Sequence, residues 1–193
     1  MERIEINECL FKKMIDGVKH CIASDYARPI LTYIQIKVAK GFITMYALDG
    51  FRLGKTQATL EQATETEFTC FIKPLAIKPS KQGTNPVVIK CDGNYSFVEV
   101  ITEYGKVEHC FKQPTEKFID AEKILQDNKV HDREIAFNAA LVAQALKALS
   151  GADKNNTVIF ESKNSSIEPF ILRAKDDLIT NEQLILPIRI NIS

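Results

Sequence analysis

The sequence has no tryptophan, only eight glycines and three histidines, and no excess of either charge, since 25 basic residues balance 25 acidic ones. That balance excludes an exterior that is basic all over, so any face that meets duplex DNA has to be local. No apolar run approaches the roughly 20 residues a membrane helix needs. The opening MERIEINE alternates charged and apolar residues, which predicts a strand start and not a signal peptide. Five cysteines, Cys9, Cys21, Cys70, Cys91 and Cys110, form no CxxC pair. An odd, dispersed set without a targeting signal predicts free thiols in a reducing cytoplasm, most of them acting as small buried hydrophobes.

Catalytic signatures are scarce as well. His20-Cys21 and His109-Cys110 are sequence neighbours, and neighbours point in different directions on a helix or a strand. His131-Asp132 falls in a polar stretch, and Asp176-Asp177 beside Thr180 reads as a polar hairpin turn. There is no HxxxH, GxSxG or glycine-rich phosphate loop. Neither an enzyme, a metal site nor a cofactor is expected.

What is present is an internal repeat of roughly 60 to 65 residues, each copy reading strand, helix, then two or three strands. Copy one opens on the alternating Arg3-Ile4-Glu5-Ile6, with Asn7 as N-cap. Leu10, Met14, Val18, Cys21 and Ile22 then fall on one helical stripe, opposite Lys12, Lys13, Asp16, Lys19 and His20. Ile34, Ile36 and Val38 alternate with polar residues, Ala39-Lys40-Gly41 turns the chain, and Phe42 to Leu48 returns. Asp49-Gly50 turns again into a strand Phe51-Arg52-Leu53.

Copy two has a strand Phe68 to Ile72, a short helix around Pro74 to Lys78 stopped by Pro79, and a meander. The meander strands are Val87 to Lys90, Tyr95 to Ile101 and Lys106 to Phe111, with turns at Asp92-Gly93-Asn94 and Tyr104-Gly105. Copy three has a strand Glu134 to Phe137, Asn138 as N-cap, and a helix with the stripe Val142, Ala145, Leu146 and Leu149. Its strands are expected at Thr157 to Glu161, Ile167 to Arg173 and Leu184 to Ile190. The class is α+β, with sheets outside and helices lining another surface. The polar Gln126 to Arg133 is the expected domain boundary.

Three groups of segments, in this order and spacing, resemble the bacterial DNA polymerase III beta subunit, the DNA sliding clamp family. Ala27-Arg28-Pro29-Ile30-Leu31 and Tyr46-Ala47-Leu48-Asp49-Gly50-Phe51-Arg52-Leu53 resemble its middle domain. Ile135-Ala136-Phe137-Asn138 and Gln144-Ala145-Leu146-Lys147-Ala148-Leu149 look like the helix of its last domain. Glu168-Pro169-Phe170-Ile171-Leu172-Arg173 and Leu186-Pro187-Ile188-Arg189-Ile190 resemble that domain's closing strands.

The resemblance implies a DNA-clamp fold of β-α-β-β-β units, antiparallel sheets outside and helices inside. Residues 1–127 correspond to one complete domain of two units (1–60 and 61–127), and 128–193 to the second half of the last domain. The family's first domain and the first half of its third have no counterpart, and Asn191-Ile192-Ser193 follow the closing segment. The family binds hydrophobic peptides of polymerases and the clamp loader between its middle and last domains. The matching positions are Leu31, Leu48, Gly50, Phe51, Arg52, Leu53, Pro169, Leu184, Leu186, Pro187, Ile188 and Arg189. Gln126 stands where the family often has a proline lining that pocket.

The family's interior touches duplex phosphates without reading sequence. Lys12, Lys13, Lys19 and Arg28 are the candidates near the first helix, Lys73, Lys78 and Lys81 near the second, and Lys147 on the third. The implied function is a cytoplasmic processivity factor of DNA replication. The alternative is a clamp-like partner-binding module, or decoy, that never encircles DNA. Because the third unit lacks an intramolecular partner, self-association to a dimer or tetramer is expected.

Overall fold

A computed structural model describes residues 1–24, 28–60, 66–102, 105–128, 135–150, 156–162, 168–175 and 180–188. The chain divides into two compact units, Met1–Gln126 and Asp127–Ser193.

In the first unit, strand β1 (Glu2–Asn7) runs directly into helix α1 (Glu8–Val18). Asn7 has extended backbone, and its Oδ1 accepts from the amides of Cys9 (2.9 Å) and Leu10 (3.2 Å), donors that the first helical turn leaves unpaired. The buried face carries Phe11, Met14, Ile15 and Val18. The expected stripe is thus corrected: Leu10 is only half-buried, and Cys21 and Ile22 lie past the helix, in and after a 3-10 turn at Lys19–Cys21. A helix lying across a sheet buries a face wider than one row, which brings in Phe11 and Ile15.

Strands β2 (Ile34–Ala39), β3 (Phe42–Leu48) and β4 (Leu53–Thr59) form an antiparallel meander. Lys40 and Gly41 both have positive φ, 53° and 77°, as a two-residue hairpin turn matched to strand twist requires. The sheet packs close under α1. A Cβ on Gly54 would stand 3.2 Å from the Cys21 sulfur and 3.3 Å from the Val18 Cα.

Strands β5 (Phe68–Ile72), β6 (Pro86–Cys91), β7 (Tyr95–Thr102) and β8 (Gly105–Lys112) follow. The helix expected around Pro74 to Lys78 is absent; the chain from Lys73 to Pro79 is irregular, with Ile77 buried. Pro79 has no amide to bond the Leu75 carbonyl and steers Lys78 away from helical dihedrals, so a turn begun at Pro74 cannot be continued. A helix absent from the sequence reading, α2 (Ala121–Asp127), closes the unit.

The two sheets have orders β4-β3-β2-β5 and β1-β6-β7-β8. In each, the opening strand of one repeat pairs with the meander of the other: β5 lies on β2 (Ile72 opposite Ile34) and β1 on β6 (Ile4 opposite Ile89). One core serves both repeats, built from Ile4, Phe11, Ile36, Met45, Ile72 and Ile89 among others.

The second unit holds α3 (Ala139–Leu149), β9 (Ile159–Ser162), β10 (Phe170–Lys175) and β11 (Thr180–Ile185), with sheet order β11-β10-β9. Asn138 caps α3 through the Ala140 (2.9 Å) and Leu141 (3.4 Å) amides. Ala145, Leu149, Phe170, Leu172, Ala174 and Ile185 make its small core, with Val142 and Leu146 packed against it.

The strand expected before α3 is not in a sheet. It shows one isolated bridge, Ala136 to Ile188, with the Ile188 amide donating to the Ala136 carbonyl at 2.8 Å. The last strand is also shifted. It runs Thr180–Ile185 and stops before Pro187, which has no amide to continue a ladder. Tyr104, Glu134, Ile167, Ile190, His131-Asp132 and Asp176-Asp177 lie outside the described residues. The architecture is α+β with antiparallel sheets. Among the described residues no helix is long and apolar enough to cross a membrane.

Candidate functional site

The β3–β4 connection is a four-residue loop, Asp49 to Arg52, closed by the opposed pair Leu48 and Leu53. Phe51 and Arg52 therefore stand in the turn, correcting the strand expected from Phe51 onward. Asp49 organises the loop. Its Oδ1 accepts from the amides of Phe51 (2.9 Å) and Arg52 (2.8 Å), and its Oδ2 from Arg52 Nε (3.0 Å) and Nη2 (2.6 Å). The Arg52 guanidinium, then the two amides, hold the Asp49 carboxyl down at about 2. Gly50 has φ +93°, which few residues with a side chain adopt. The result is a rigid tip on which Phe51 is 97% exposed.

Beneath the tip lies a second apolar cluster, separate from the main core, of Ile30, Leu31, Tyr46, Leu48, Phe118 and Ala121, with Leu53 packed against it. Leu31 reaches it from the 3-10 turn Pro29–Thr32. That turn is held by the Leu31 amide on the Arg28 carbonyl (3.0 Å) and the Thr32 hydroxyl on the Pro29 carbonyl (2.7 Å). Helix α2 forms the other wall and is pinned by Glu122, which accepts from the Tyr46 hydroxyl and from Lys55 Nζ at 2.9 Å. Burial, and then the Glu122 carboxylate, push the Tyr46 hydroxyl well above its usual range.

Leu31, Leu48 and Leu53, chosen from the sequence, thus meet in one cluster, while Gly50, Phe51 and Arg52 form the tip above it. The sequence reading missed the α2 wall. Its signal was Asp120 as an N-cap, whose Oδ1 accepts from the Lys123 amide at 3.1 Å, ahead of apolar Ala121 and Leu125.

In the second unit, Leu184 lies on β11, and Leu186, Pro187 and Ile188 follow it. Leu186 is 65% exposed and Ile188 is also exposed, while Pro169 is half-buried. Arg189, like Ala27 of the first matching segment, lies outside the described residues.

The fold has solved counterparts. The DNA polymerase III beta chain of Streptococcus pneumoniae superimposes with a TM-score of 0.76 at 18% identity, over 98% of this chain and 50% of that one. The Bacillus subtilis sliding clamp gives 0.77 at 17% identity, over 96% and 49%. A Pseudomonas aeruginosa sliding clamp bound to griselimycin gives 0.78 at 14%, over 96% and 50%. The fold is that of the bacterial DNA sliding clamp. The chain spans about half the length of those clamps. No protein-family model and no curated protein matches the sequence.

On this clamp fold the cationic candidates are unevenly available. Lys12 and Lys19 are both paired with Asp16, Lys19 at 2.6 Å. Their hydrogen bonds hold the Asp16 carboxyl below its ordinary value. Lys73 is half-buried, donates to the Thr32 hydroxyl and lies 3.8 Å from the centre of the Tyr33 ring. Burial pulls its ammonium down. Lys13, Arg28, Lys78, Lys81 and Lys147 are exposed. Lys73, Lys78 and Lys81 belong to an irregular segment, so of these candidates Lys12, Lys13 and Lys147 are the ones that lie on an α-helix.

Proposed function

We propose that this chain is a clamp-like processivity factor of DNA replication that docks hydrophobic peptides of polymerase and clamp-loader partners, contacts duplex DNA through phosphates, and self-associates to a dimer or tetramer. The observation carrying the reading is the Asp49-clamped tip over the cluster of Leu31, Leu48 and Leu53, on a sliding-clamp fold. Exposed Phe51 on an Asp49-braced turn, with half-buried Leu53 at the margin of the buried cluster, offers a short hydrophobic peptide an ordered apolar anchor, because little in the loop has to be fixed on binding. By resemblance, Leu184, Leu186, Pro187 and Ile188 of the second unit are further candidates for contact with such peptides.

Griselimycin, the ligand of the Pseudomonas clamp, and a hydrophobic clamp-binding peptide are the probes. Both are expected to bind in titration calorimetry. Leu53→Asp and Leu186→Asp are each expected to weaken binding at least tenfold, the loss of roughly one buried leucine. Leu186 is 65% exposed, so its replacement leaves the fold intact. Unchanged affinity in both variants would overturn the peptide reading.

DNA binding is expected to be weak and indifferent to sequence, with log K falling linearly in log salt. Lys13→Glu and Lys147→Glu should weaken it equally on every duplex tested. A preference for one sequence, in a fluorescence anisotropy series, counts against phosphate-only contact. The second reading, a partner-binding module that does not encircle DNA, is favoured by the pairing of Lys12 and Lys19 with Asp16. It keeps peptide binding and loses the salt-dependent DNA signal.

A further inference from the structure

We infer that two copies of this chain complete one another's second unit by exchanging the segment Ile135–Phe137, which adds as a fourth strand to the open edge of the partner's β9. The inference gives a surface to the self-association in the proposed function and rests on that part of it.

The first unit supplies the pattern. Each of its sheets has four strands, three from one repeat and the opening strand of the other. An opening strand never joins the meander that follows it: β1 precedes β2 to β4 and pairs with β6, while β5 precedes β6 to β8 and pairs with β2. The second unit is one such repeat. Its sheet is β11-β10-β9, three strands, and β9 takes the place that β2 and β6 occupy. The opening segment Ile135–Phe137 runs into capped α3 as β1 runs into capped α1, yet it belongs to no sheet: among the described residues its backbone makes the bridge to Ile188, and Phe137 rests on Phe170 with ring centroids 4.2 Å apart.

The exposed apolar residues sit where a fourth strand would lie. On β9, Ile159 is 46% and Phe160 is 61% exposed, although Phe160 is opposite fully buried Leu172 and so faces the core side. A core-facing aromatic left open at a strand edge marks a sheet that lacks its neighbour.

The register follows from the repeat. Asn7 and Asn138 are equivalent caps, so Ile6 corresponds to Phe137 and Ile4 to Ile135. The run Asn85-Pro86-Val87-Val88-Ile89 corresponds to Asn156-Thr157-Val158-Ile159-Phe160. In β1–β6, Ile6 is opposite Val87 and Ile4 opposite Ile89. Transferred to two copies, Phe137 is opposite Val158 and Ile135 opposite Phe160 on the core side, with Ala136 opposite Ile159 on the outer face. A two-fold axis makes the exchange reciprocal, and the interface closes on itself.

The test uses the full chain, without peptide or DNA. Sedimentation at micromolar concentration is expected to give a dimer or an even multiple of it, and a stable monomer overturns the inference. Phe160→Lys is expected to raise the dissociation constant at least tenfold, its folding checked by circular dichroism. Register is read with Ala136→Cys and Ile159→Cys in a chain whose Cys9 and Cys110 are serine. Opposed residues of an antiparallel pair lie within disulfide reach. Under mild oxidation by diamide, a mixture of the two single variants should give a covalent dimer, and neither variant alone should. Cross-linking inside one chain in the double variant, or a dimer whose mixture does not cross-link, overturns the exchange. A dimer that fails to bind peptide overturns the clamp-like reading instead, and peptide binding by a monomer overturns the exchange alone.

Discussion

Phe11→Ala is expected to lower the stability of the first unit by about 3–5 kcal/mol, read as a fall in the urea midpoint by circular dichroism. Phe11 is completely buried on the face of α1 that lies on the sheets. The cost has two parts, the transfer free energy of the lost ring and the cavity its neighbours cannot fill. Collapse is hindered because the surrounding side chains come from both sheets as well as from α1. Gly54 already brings β4 against the C-terminal turn of the helix, so α1 has little freedom to settle inward. A loss under about 1 kcal/mol, within the range of an ordinary surface substitution, would show that α1 does not organise this core.

Glu8→Ala is expected to cost about 3 kcal/mol at neutral pH, because three donors lose their acceptor at once. The Glu8 side chain is fully buried at the start of α1. Its Oε1 accepts from the Ser80 amide (3.1 Å), the Ser80 hydroxyl (2.5 Å) and the Asn85 amide (3.1 Å). The carboxylate thus ties the irregular 73–85 segment to the helix, and its charge is well placed at a helix N-terminus. Burial pushes the carboxyl up, but the Ser80 hydroxyl and the two amides outweigh it, so the group lies below its ordinary 4.5. A depressed folded value means that the contribution is complete above pH 4.5 and is lost as pH falls through the folded value. The stability gap between the parent and Glu8→Ala should be flat from neutral pH to about pH 5 and narrow below that. A gap that widens on acidification would sink this account.

What could be read from the sequence was local. Asn7 and Asn138 announced their helices, and Ala39-Lys40-Gly41 announced its hairpin, because caps and tight turns depend on a few adjacent residues. The exchange of opening strands between repeats could not be read, since nothing in Arg3 to Ile6 names Ile89 as a partner. Pro74 is acceptable in the first turn of a helix, so its presence did not exclude one; the irregular path to Pro79 emerged only in the fold. At the site, Leu31, Leu48 and Leu53 came from the resemblance. The bonding of Asp49 to Phe51 and Arg52 depends on loop geometry that pattern alone does not carry, and α2 was too short to impose a period.

The pairing of β1 with β6 has a consequence for how the chain reaches its native state. Ile4 meets Ile89, so the opening strand of the unit waits during synthesis for a strand made some eighty residues later. Hairpins such as β2–β3 close in microseconds, whereas β1 must bear the entropy of a long loop before any contact rewards it. The slow step of folding should therefore be the docking of residues 2–7 onto a meander already formed. During synthesis that segment stays an unsatisfied edge, open to mispairing with neighbouring nascent chains.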